Sequence, residues 1–94
     1  MPKPTTTQAA YDVALRGLDH LLTIRHPIPH EISVIGWEIH GMDRLLFALG
    51  QDAASGALCK LGDQLHNLAS LRMDDYHPHL ATLKSELLEE ATHV

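Results

Sequence analysis

One cysteine, one tryptophan, one phenylalanine and two tyrosines are all this chain holds of the residues that stack or react most readily. With Cys59 alone, no intrachain disulfide and no cysteine-based zinc site can form, which fits a reducing compartment and leads us to expect a cytoplasmic protein. No stretch approaches the roughly 18 apolar residues of a membrane span, so no membrane association is expected. Met1-Pro2-Lys3-Pro4-Thr5 has no apolar run behind it, and no signal peptide is expected. Basic residues are scarce. The seven, Lys3, Arg16, Arg25, Arg44, Lys60, Arg72 and Lys84, form no stripe, whereas a phosphate backbone selects clustered Lys and Arg. Nucleic acid is thus a disfavoured partner. Missing too are a Gly-x-Ser-x-Gly elbow, a Gly-rich phosphate loop, a dinucleotide fingerprint and an EF-hand loop. We therefore expect neither an enzyme nor a bound cofactor.

What is present is a globular composition. The chain has 94 residues, 45% of them hydrophobic, with a net charge of −5, which at this length suits one domain over residues 1–94. A domain so small gains from a partner chain that buries more area. Eight histidines are the compositional oddity; with unperturbed pKa values near ~6.5 they would make the chain net positive in mild acid.

Four segments have helical period, giving an expected all-α fold, a small antiparallel bundle of about four helices over 7–24, 31–49, 52–71 and 78–92, with 1–6 flexible. In the first, Tyr11, Ala14, Leu15, Leu18, Leu21 and Leu22 share a face, one of Thr5, Thr6 or Thr7 can cap it, and Pro27 and Pro29 end it. The second carries Ile32, Ile35, Ile39, Met42, Leu46 and Leu49 as a heptad seam, against the alternative of a strand over 31–39. Gly36 and Gly41 within it either admit a neighbouring helix or mark a kink. Gly50 is placed to end this helix and Asp52 to cap the next. The third segment aligns Ala54, Leu58, Leu61, Leu65 and Leu68, and the fourth, opened by Pro78, aligns Leu80, Leu83, Leu87 and Ala91. No internal repeat is evident. Helices two and three are expected to supply most of the core, with Ile35, Ile39, Met42, Leu46, Leu61, Leu65 and Leu68 at its centre.

Several constellations could carry chemistry. His77 and His79 flank Pro78 near Asp74 and Asp75, a set of ligand types that suits zinc or nickel; the alternative is solvated residues capping a helix. Glu90 and His93 have the Glu-x-x-His spacing of di-metal bundles, with Glu86 one turn earlier and Asp63…His66 as the nearest companion. His26 and His30 are four apart, but the prolines around them break the helix that would align them. His40 and His66 sit beside the apolar seams as partly buried interface histidines. Cys59, mid-helix and without a histidine at helical spacing, reads as structural. As a DNA-recognition helix, the third offers Lys60, Gln64, Asn67 and Arg72, opposed by Asp52 and Asp63.

The second helix has a further apolar edge beside its seam, Val34, Gly41, Leu45 and Ala48, with Trp37 off the seam. A helix apolar on two sides is central in its bundle or shared with a partner. The reading that follows is a non-catalytic interaction or regulatory protein, a homodimer whose interface includes Val34, Trp37, Gly41 and Leu45. A metal-binding bundle using His77, His79, Glu90 and His93 stands as the alternative, and a nucleic-acid-associated regulator comes third.

Overall fold

A computed structural model describes residues 6–92. These form four helices, α1 (Thr6–Thr23), α2 (Pro29–Ala48), α3 (Asp52–Ser70) and α4 (His77–Thr92), and no strand among the described residues. The fold is all-α, and the segment 29–48 is helix throughout. α2 packs against α3 along its length, α1 packs against α4 and α2, and α3 touches α4 and α1 lightly.

Local chemistry sets the helix ends. The prolines between α1 and α2 act differently from expectation. α1 has ended by Thr23, and Pro29 opens α2, where a missing amide leaves no bond unmade. The Glu31 carboxylate accepts the Ile28 amide proton at 3.3 Å, satisfying one free donor at that start. At the far end Gly50 has φ +77°, the left-handed conformation glycine adopts without strain. The Gln51 amide donates to the Leu46 carbonyl and the Gly50 amide to that of Phe47, the paired bonds of a Schellman stop. Asp52 is the first residue of α3 and not its cap. Gln51 holds the cap position without a side-chain bond, and Asp52 serves by placing negative charge at the helix N-terminus. The start of α1 is Thr6; Thr5, named as a possible cap, lies outside the described residues.

The core runs through all four helices. Ala10, Tyr11, Ala14, Leu18 and Leu21 of α1 meet Ile32, Ile35, Ile39 and Leu46 of α2, Ala54, Leu58, Leu61, Leu65 and Leu68 of α3, and Leu80, Leu83 and Leu87 of α4. The expectation that α2 and α3 dominate needs correction, since α1 buries as many apolar residues as α3. Part of the α2–α3 contact is filled by glycine and histidine instead. Met42 is half-buried, and Leu49 lies beyond the last turn of α2 and is exposed, so the seam ends at Leu46. Tyr76 is buried in the α3–α4 link and donates its hydroxyl proton to the Leu71 carbonyl at 2.5 Å, holding that loop against the core.

Candidate functional site

The contact between α2 and α3 is built from a short pattern that both helices carry. Gly36 precedes His40 by four residues on α2, and Gly62 precedes His66 by four on α3. Because the helices are antiparallel, each glycine meets the histidine of the other. A Cβ at Gly62 would lie 2.7 Å from His40 Nε2, and one at Gly36 would lie 3.0 Å from His66 Nε2. A side chain at either glycine would force the facing ring to shift. The two imidazoles stack, with centroids 5.4 Å apart and planes 6° from parallel, and Trp37 leans on His66 at 4.6 Å. His66 Nε2 is buried there with no hydrogen-bond partner among the described residues.

Around His40 the surroundings become polar. Its Nδ1 lies 3.7 Å from Asp43 Oδ2, one turn along α2, and its Nε2 lies 3.3 Å from Asp63 Oδ1 on α3. The other oxygen of Asp43 accepts the Ser55 hydroxyl proton from α3. Cys59 lies half-buried on α3 beside Asp43. Burial, and then the negative charge of Asp43 beside it, push the Cys59 thiol above its ordinary pKa. One ligand atom each from His40, Asp43 and Cys59 lie within 4.8 Å of one another, the set among the described residues that can converge on a cation.

The ligands expected from sequence are dispersed. His77 opens α4 and its Nε2 lies 2.6 Å from the Ile24 carbonyl, joining α4 to the end of α1. Its amide donates to Asp75 Oδ1 at 3.0 Å, so Asp75 caps the helix. His79 is exposed about half a turn up, and Glu90 is exposed about 20 Å from His77 along the same helix, at 1.5 Å of rise per residue. His77 and Glu90 therefore cannot share an ion within one chain. His93 lies outside the described residues. Asp63 and His66, the proposed companions of Glu90, point to α2. The convergence of Cys59 with His40 went unseen because the two are on different helices whose register the sequence does not state. The recurring Gly-x-x-x-His at 36–40 and 62–66 is the signal the sequence does hold, a short repeat where none was expected.

The opposite side of α2 is bare. Val34, Trp37 and Leu45 are 40%, 63% and 48% exposed, and Gly41 has nothing within 4 Å of where a Cβ would stand. Trp37 rests on His66 and not on a loop, which leaves its outer edge free.

Comparison with known proteins yields no family model, no curated protein and no solved structure that matches this chain. Among the described residues, no helix is long and apolar enough to cross a membrane.

Proposed function

We propose that this chain is a non-catalytic interaction protein that works as a homodimer, joined through the outer face of α2. The observation that carries this reading is the composition of that face about Gly41. Glu38 and Arg44 lie three residues to either side of it, Trp37 and Leu45 four, and Val34 and Ala48 seven, all in or beside the apolar edge and all exposed. Two α2 helices crossing antiparallel at Gly41 bring positions equidistant from it to the same level along the pair. Glu38 then lies level with Arg44 of the partner subunit, within range of charge attraction, and Trp37 lies level with Leu45 of the partner subunit. A two-fold interface has to be self-complementary in this way. Glycine at the crossing lets the helix axes approach closely, and the aromatic and aliphatic anchors beside it supply the buried apolar area.

The test is sedimentation equilibrium of the full chain and of charge-reversed variants. Wild type is expected to be a dimer. Glu38→Arg sets arginine against arginine twice per dimer; with exposed pairs worth about 0.2–1 kcal/mol each, the Kd should rise roughly tenfold. Adding Arg44→Glu to the same chain restores opposite charges and should restore the affinity. A wild-type chain that stays monomeric at high concentration overturns the reading, as does a double variant no tighter than the single one.

A further inference from the structure

On the inner side of α2 we propose a second site, for a zinc-class divalent cation, with His40, Asp43 and Cys59 as its ligands and Asp63 as the carboxylate that orients the histidine. It is independent of the dimer proposal, since all four residues belong to one chain and none lies on the Gly41 face.

The spacing is that of a two-helix site. His40 and Asp43 are three residues apart on α2, and Cys59 and Asp63 four apart on α3, so each pair shares a helix face. The 3.7 Å from His40 Nδ1 to Asp43 Oδ2 is too long for a hydrogen bond. It falls within the range of about 3.3–3.8 Å for the edge of a tetrahedron built on zinc bonds of about 2.0–2.3 Å. The remaining atoms are already engaged as an outer shell would engage them. Asp63 lies against the second ring nitrogen of His40, the carboxylate–histidine arrangement found behind metal-bound imidazoles. Ser55 holds Asp43 Oδ1, which leaves Oδ2 for the cation. The His40 and Asp43 side chains are each 15% exposed, so the cluster is shielded yet not closed to an entering ion.

Ligand type selects the metal. A thiolate, an imidazole and a carboxylate suit zinc or cobalt and not the all-oxygen preference of magnesium or calcium. A divalent charge matches the two negative charges of thiolate and carboxylate. Binding breaks the Cys59 S–H bond and forms a metal–sulfur bond, with the proton passing to solvent. A bound cation favours the thiolate that ligates it. Three protein ligands leave a fourth position for water.

The test is titration of cobalt(II), as chloride, into the reduced full-length protein, followed by absorption. One ion per chain is expected, with thiolate-to-cobalt charge-transfer bands and the strong visible bands of tetrahedral cobalt, all displaced by zinc. Zinc should also slow alkylation of Cys59. Cys59→Ser should abolish the charge-transfer bands, while Asp63→Asn should keep them and weaken affinity roughly 10–100-fold, the usual effect of losing an outer-shell partner. Circular dichroism confirms that each variant is folded. The proposal is overturned if cobalt gives no thiolate band. It is equally overturned if binding survives Cys59→Ser but is lost in His77→Ala, which would place the metal at the start of α4.

Discussion

Gly36 and Gly41 stand five residues apart on one helix and do different work. Gly36 faces α3, where a single added carbon would press on the His66 ring. Gly41 faces outward, where the same carbon would touch nothing. Inside a chain, a glycine retained at a crowded contact is explained by the contact itself. An uncrowded glycine in mid-helix costs about 1 kcal/mol against alanine with no gain in the isolated chain. That unrewarded cost, set in an apolar edge, is what directs attention to a second copy. The inner face has spent its apolar potential on two histidines and their carboxylates, and the outer face has kept its own exposed.

The largest change comes from removing the core that supports both faces. Leu65 is fully buried between α3 and the rest of the bundle, and Leu65→Ala should destabilise the fold by about 2–5 kcal/mol, measured by urea denaturation. Both the dimer and the cation site should then weaken together. A loss confined to one of them would show that the faces do not share a framework.

Next come the glycines, taken as a series. Gly56, on the exposed side of α3, also has nothing within 4 Å and serves as the control. Gly56→Ala and Gly41→Ala should each raise monomer stability by up to ~1 kcal/mol, but only Gly41→Ala should increase the dimer Kd. Gly62→Ala places a carbon 2.7 Å from His40 Nε2, so the ring must swing away from Asp63. Its helix-propensity gain offsets the displacement, leaving stability within about 1 kcal/mol of wild type while cobalt binding is lost. Calorimetry together with the cobalt titration reads both.

The smallest effect is electrostatic. Burial, and then the charge of Glu90, raise the Tyr11 pKa above its ordinary value of 10.0. The folded chain thus holds the phenolic proton more tightly than the unfolded chain. That contribution is complete below pH 10 and is lost as pH rises through the raised folded value. Melting temperature against pH should fall in this window for wild type, and fall less for Tyr11→Phe. Equal slopes would remove Tyr11 as the cause.

How far the sequence could be read follows from the same contrast. Ile32, Ile35, Ile39 and Leu46 follow the three- and four-residue steps of a buried face, and they are buried. The heptad steps do not show where the helix stops: they extend to Leu49, although Gly50 turns the chain there. The exposed edge at Val34, Gly41 and Leu45 was legible because it lies on one helix. The cation set was not, because it depends on the register between α2 and α3, which sets Cys59 beside His40. Proximity in sequence drew attention to His77 and His79 instead, and there the chain uses an imidazole and a carboxylate to tie and cap α4.

A native mass spectrum of the untagged chain, equilibrated with zinc under reducing conditions, tests the two-faced account of α2 most directly. Two chains carrying two zinc ions are the expected mass. A zinc-bearing monomer would contradict the outer face alone, a zinc-free dimer the inner face alone, and a zinc-free monomer would contradict both.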